Sequence, residues 1–316
     1  MGKVGGGRNF GYGKMLAYAG KNALKDRYGA GHYASVAAHE ARWKQFVGYL
    51  KDKGIKDARE INQEAIIQYA HYLEKQVKTN ALKVSYAQNL LSTINVVLSS
   101  MRKDSLLTVS PSALVGKRSN VREAIPATIN PIHLNQALRY LEEKGEQRVA
   151  LLASLCRELG LRFKEASLLN TRTALREANK QGSVNITRGT KGGRGKGVDR
   201  WVPVSNEALT TLATAKALQG TNKNLIPEQS NFKQWRDHAY SQWRLATKDT
   251  ELRGFHELRA AYACERYAQI TGSSAPVISG SRTVARELDH KARVVIALEL
   301  GHSRTDVLVA YLGSAK

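Results

Sequence analysis

A chain of 316 residues, 42% of them hydrophobic, holds more than one ordinary core and is expected to divide into two domains. Its 49 Lys and Arg against 27 Asp and Glu leave a net charge of +22, spread over the whole length, which points to a partner built on phosphates. No apolar run approaches a membrane span, no long basic amphipathic helix suits a membrane surface, and the start of the chain lacks the apolar core of a secretory signal; membrane and exported classes are excluded, and a cytoplasmic, nucleoid-associated location is expected.

Residues 1–33 are rich in glycine and basic residues, with Gly2, Gly5, Gly6, Gly7, Gly11 and Gly13 near the start, and predict a flexible basic arm leading into a short helix over 14–25. The stretch 34–110 reads as a helical domain. Val36, Trp43, Phe46, Val47 and Leu50 mark one apolar stripe; Asn62 caps a second helix with Ile66, Tyr69, Ala70 and Leu73; Thr79 or Asn80 starts a third that runs to Met101. Lysines and arginines occupy the complementary faces, which suits a small DNA-clamping domain. Residues 111–130 carry Pro111 and Pro126 together with Lys117, Arg118 and Arg122, and predict a basic linker crossing DNA.

The second domain, 131–316, opens with helices over 131–144 and 147–159. Leu159-Gly-Leu-Arg162 then places an arginine at a turn, and another amphipathic segment follows with Glu165. Strands over 183–187 and 200–204 flank a glycine-rich basic tip holding Arg188, Lys191, Arg194 and Lys196. A nucleotide-phosphate loop is excluded there, because no Gly-Lys-Ser/Thr occurs and a strand comes next. Helices are predicted over 206–219, 230–248, 254–271, 282–300 and 304–312. His256 and Arg259 lie three apart on one helical face. The closing stretch Glu299-Leu-Gly-His302 ends a helix, and Tyr311 follows nine positions later. A phenol can attack phosphorus when a neighbour takes its proton, and histidine is the usual neighbour. Cys156 and Cys264 sit in apolar helical patterns and read as buried thiols; neither they nor the eight histidines show ligand spacing, so no metal and no cofactor are expected.

In chain order, Leu159-Gly-Leu-Arg162 with Glu165, Thr190-Lys191-Gly-Gly followed by Trp201-Val-Pro-Val204, His256-x-x-Arg259, Leu300-Gly-His302 and Tyr311 resemble the tyrosine recombinase and phage integrase family. The resemblance covers residues from about 128 onward, and the helical domain before it matches the family's core-binding domain in layout. It implies a mostly α fold with a small β-hairpin, an α+β catalytic domain behind a helical core-binding domain. It also implies site-specific cleavage and rejoining of double-stranded DNA through a 3′-phosphotyrosine link, with Tyr311 as nucleophile. Arg162 and Arg259 would hold the non-bridging phosphate oxygens, because planar guanidinium forks fit them bidentately. His256 and His302 would orient the phosphate and assist proton transfer, Lys191 or else Lys196 would protonate the departing 5′ oxygen, and Glu165 would steady the site.

The resemblance further implies a homo-tetramer on DNA, with DNA-bending accessory proteins as further partners, and integration or excision of a phage or other mobile element. A Xer-like resolvase and a type IB topoisomerase share such a site, and a non-catalytic DNA-binding protein on the same scaffold is the alternative of another class. Two features depart from the family. The interval from Arg259 to His302, 43 positions, predicts an inserted loop and an extra helix within 260–301. Five residues follow Tyr311, so subunit coupling through a long tail is not expected, and the nucleophile segment is expected to be loosely held without DNA.

Overall fold

The computed structural model describes residues 5–191 and 197–314 and is mostly α-helical, with a single two-stranded sheet among those residues. It divides into two compact units at Ser119, inside the stretch expected as linker.

The first unit packs α1 (Leu16–Tyr28), α2 (Tyr33–Asp52), α3 (Gln63–Lys78), α4 (Val84–Arg102) and the short α5 (Pro111–Val115) around one core. In α3, Asn62 accepts a hydrogen bond from the backbone N–H of Ala65, and Ile66, Tyr69, Ala70 and Leu73 form the buried stripe. Burying side chains such as Trp43, Phe46 and Leu50 contributes about 1.5–3 kcal/mol each.

The expected flexible arm is a correction. Its buried Asn9 donates its backbone N–H to Asp57 Oδ1 at 2.9 Å, while its Oδ1 accepts from Ala58 at 2.7 Å. α1 lies against α2 so closely that a Cβ on Gly20 would stand 2.1 Å from Trp43 Nε1, and that indole N–H donates to the Leu16 carbonyl at 3.1 Å. Gly20, inside the expected short helix, therefore serves close helix packing, while Gly2 of the expected arm lies outside the described residues. α4 starts after Lys83, and Asn80 takes a positive φ of 57° in the preceding turn instead of capping.

The second unit contains α6 (Pro131–Glu143), α7 (Gln147–Glu158), α8 (Phe163–Leu168), α9 (Thr171–Gln181), β1 (Ser183–Asn185), β2 (Trp201–Pro203), α10 (Asn206–Gln219), α11 (Phe232–Ala246), α12 (His256–Thr271), α13 (Pro276–Ser279), α14 (Arg286–Glu299) and α15 (Val309–Leu312). The strands pair antiparallel with Val184 opposite Val202, both fully buried. The interval after Arg259 is built into the core. Tyr267 on α12 donates to Asp289 on α14 at 2.9 Å, and Arg293 reaches the Gly313 carbonyl at 3.3 Å. Gly313, at φ +80°, lies so close to α13 that a Cβ there would be 2.9 Å from Val277 N. The inserted segment thus braces the end of the chain. Leu308, Tyr311 and Leu312 are buried, so the segment carrying Tyr311, expected to be loosely held, is packed.

Candidate active site

Arg162, Glu165, His256, Arg259, His302 and Tyr311 come together in the second unit, and the local sequence explains how. Gly160 takes φ +57° to turn the chain out of α7, where a Cβ would sit 2.5 Å from the Tyr262 ring and 2.9 Å from Leu300. Two residues on, Arg162 occupies the N-cap of α8. Its backbone N–H donates to Glu165 Oε2 at 2.8 Å, and its guanidinium donates to Glu165 Oε1 at 2.6 Å, closing a capping box. At the far side α14 ends in a Schellman turn. Gly301 takes φ +66°, its N–H donates to Leu298, and the His302 N–H donates to the Ala297 carbonyl at 2.8 Å, which aims His302 inward.

Arg259, one turn into α12, is fully buried and joins these pieces. Its two Nη atoms donate to the carbonyls of Gly160 and Leu300. Its Nε donates to the Tyr311 hydroxyl at 3.3 Å, and its Nη2 lies 3.4 Å from His302 Nε2. The same hydroxyl lies 3.4 Å from His302 Nε2, and the His256 ring stands edge-on to the Tyr311 ring at 5.2 Å between centroids. Tyr311 is 4% exposed, and its backbone carbonyl accepts a long contact from Cys264 Sγ at 3.6 Å.

Glu165 has no exposed surface and faces three cations. Besides Arg162, Arg200 Nη1 lies 2.9 Å from Oε1 and Arg259 Nη1 lies 3.7 Å from Oε2. Burial opposes ionisation of Glu165, yet Arg200, Arg259 and Arg162 together hold its carboxyl below the usual range. Burial, followed by the charges of Arg259, Arg162 and Arg200, pushes His302 down to about 4. His256 is also lowered, first by desolvation and then by Arg259, Arg122 and Arg162, although the residue as a whole remains exposed. Arg259 falls to about 10 through burial and stays charged at neutral pH. The arrangement therefore offers a phenol between a neutral imidazole that can accept its proton and a guanidinium that can stabilise the phenolate.

The other expected site residues fall differently. Lys191 is exposed on the connection between β1 and β2. Lys117, Arg118 and Arg188 are exposed, as a backbone-contacting role requires, whereas Arg194 and Lys196 lie outside the described residues. Arg122, expected against DNA, is turned inward. Its guanidinium pairs with Glu257, and its backbone N–H donates to the Val309 carbonyl at 2.8 Å, two residues before Tyr311. Arg200 is a site residue that no motif in the sequence marks. It is 6% exposed and part of the cluster. The available signal was register: Arg200 shares the face of a strand with Val202, which is core. No helix is long and apolar enough to cross a membrane, and no group of three or more potential metal ligands occurs among the described residues.

Residues 116–265 match the family model described as Integrase. No curated protein sequence matches. Among solved structures, XerH site-specific recombinase bound to a palindromic difH substrate aligns with a TM-score of 0.59 and 16% identity, over 95% of this chain and 81% of that one. The Tn1549 transposon integrase in complex with transposon right end DNA aligns with a TM-score of 0.58 and 9% identity, over 96% of each chain. A lambda integrase dimer bound to a COC′ core site aligns with a TM-score of 0.57 and 15% identity, over 93% of this chain and 75% of that one.

Proposed function

We propose that this chain, a tyrosine recombinase by its fold and by the integrase segment at residues 116–265, cleaves and rejoins DNA at specific sites with Tyr311 as nucleophile. The observation that carries the reading is the Tyr311 hydroxyl, within hydrogen-bond reach of both Arg259 Nε and His302 Nε2. Neutral His302 takes the phenolic proton as the Tyr311 oxygen attacks the scissile phosphorus. The 5′ oxygen departs with a proton, and the 3′-phosphate remains on Tyr311. Arg162 and Arg259 stabilise the charge that develops on the non-bridging oxygens. Because the link conserves the bond energy, attack by a 5′ hydroxyl reseals the strand with no nucleotide hydrolysis.

The leaving-group acid is Lys191, exposed on the connection between β1 and β2. Lys196 is the second candidate by position. The protein works on double-stranded DNA as a homo-tetramer, with DNA-bending partners, and integrates or excises a mobile element. Lys117, Arg118, Arg188, Arg194 and Lys196 contribute phosphate contacts along the duplex. Short direct repeats flanking the element that carries the gene name the test substrate. On a nicked duplex containing such a repeat, the wild type accumulates a covalent protein–DNA adduct and Tyr311→Phe forms none while binding the duplex normally. An adduct persisting in Tyr311→Phe refutes the nucleophile. Relaxation of plasmids lacking any such repeat places the protein with type IB topoisomerases instead.

A further inference from the structure

The proposed chemistry gives work to two of the three arginines around Glu165; Arg200 is the third. It immediately precedes β2, with its backbone fixed to β1: its N–H donates to Asn185 Oδ1 at 3.0 Å, and its carbonyl accepts from Ile186 at 2.9 Å. The side chain runs inward. Nε donates to the carbonyl of Glu299, the last residue of α14, at 2.6 Å. Nη1 lies 2.9 Å from Glu165 Oε1 as an ion pair, and Nη2 is buried without a hydrogen-bond partner. A Cβ on Gly301, just before His302, would stand 3.1 Å from Arg200 Cδ and 3.3 Å from Nε.

A buried guanidinium with unspent donors is costly, and an apolar side chain of similar volume would serve stability as well or better. Among the three arginines it is Arg259 that donates to the Tyr311 hydroxyl, at 3.3 Å, while the Nε of Arg200 is committed to the Glu299 carbonyl. Arg200 therefore acts through its neighbours. Oε1 of Glu165 is shared between Arg162 at 2.6 Å and Arg200 at 2.9 Å, while Arg259 stands off Oε2 at 3.7 Å. Without Arg200, the carboxylate would draw Arg259 inward, away from the Tyr311 hydroxyl, and hold Arg162 more tightly.

We propose that Arg200 is a positioning residue for strand cleavage, sharing the charge of Glu165 so that Arg162 and Arg259 are not drawn toward the carboxylate and stay in place around Tyr311, and tying the Lys191 hairpin to the turn that presents His302. The proposal rests on the reading of Tyr311 as nucleophile. Arg200 also belongs to the set of groups facing His302, with Arg259, Arg162, Glu165 and Tyr311, and removing its charge lets His302 protonate more easily.

The test is single-turnover adduct formation on a nicked, site-containing duplex by Arg200→Gln, Arg200→Lys, Glu165→Gln and the Arg200→Gln/Glu165→Gln double variant. Arg200→Gln is expected to slow adduct formation roughly 10- to 100-fold at saturating DNA, while its Kd for DNA stays within about threefold. The double variant is expected to cleave faster than Arg200→Gln alone, because the carboxylate that needed saturating is gone. Arg200→Lys should recover part of the rate, and the acid limb of the Arg200→Gln pH profile should move to higher pH. Fully multiplicative losses in the double variant, or a loss confined to DNA affinity, overturn the proposal. Should Arg200→Gln fail to fold by thermal melting, Arg200→Lys with and without Glu165→Gln makes the same comparison. Unimpaired cleavage by Arg200→Gln beside an adduct-forming wild type removes Arg200's role and leaves that of Tyr311 intact.

Discussion

Replacing Arg259 by lysine keeps the charge but breaks the fork, and the structure sets the size of the effect. The guanidinium serves the carbonyls of Gly160 and Leu300 with separate nitrogens and the Tyr311 hydroxyl with a third, all inside a site with no exposed Arg259 surface. An ammonium is a single point of charge and can reach one of the two carbonyls. Losing one charge-assisted backbone bond and leaving its acceptor buried costs about 3 kcal/mol. For a unit of this size that corresponds to a fall of roughly 6–12 °C in the melting temperature of the second unit. Below that transition, adduct formation should drop about 10²- to 10³-fold, the cost of a lost transition-state donor. Thermal melting of the full chain and single-turnover cleavage at low temperature measure the two effects separately. Arg259→Lys melting within about 1 °C of wild type and cleaving at a similar rate would refute the reasoning.

His302, held near 4, keeps its basic form down to acidic pH, so the acid limb of kcat/KM for adduct formation should lie well below the ordinary imidazole value; a limb centred near 6.5 that vanishes in His302→Gln would contradict this. Gly160→Ala must overcome both φ +57° and contact with Tyr262 and Leu300, and should destabilise the second unit by about 2 kcal/mol or more in denaturant titration. Arg122→Ala keeps the N–H to Val309 but loses the Glu257 pair, whereas Arg122→Pro loses both. The proline variant should therefore cleave more slowly than the alanine variant, and equal rates would show that the backbone bond does not hold the nucleophile segment. Lys191→Ala should cleave slowly on a normal 5′ leaving group and recover when a 5′-thio leaving group, which needs no proton, replaces it.

The site was legible where chemistry repeats a spaced pattern. Arg162, Glu165, His256, Arg259, His302 and Tyr311 stand in the sequence beside the glycines and helix starts that aim them, and the structure brings these six together. What the sequence hid is non-local. Arg200 looks like one more surface arginine beside a basic loop until strand register places it on the face of Val202. Arg122 reads as a linker cation because nothing nearby announces Glu257, 135 positions away. The glycine-rich start reads as an arm because the partners of Asn9, Asp57 and Ala58, are 48 and 49 positions distant. Helix ends moved where a backbone turn, such as that at Asn80, replaced a side-chain cap.

The proposed cleavage requires that Tyr311 become covalently bound to the 3′ phosphate of its DNA. Trapping the complex on a nicked duplex carrying the flanking repeat, digesting it with protease, and sequencing the oligonucleotide-linked peptide by mass spectrometry tests it directly. The expected product is a phosphodiester to the Tyr311 oxygen at the 3′ end of the cleaved strand. A DNA-linked peptide carrying the modification at another residue, or a 5′ linkage, would contradict it.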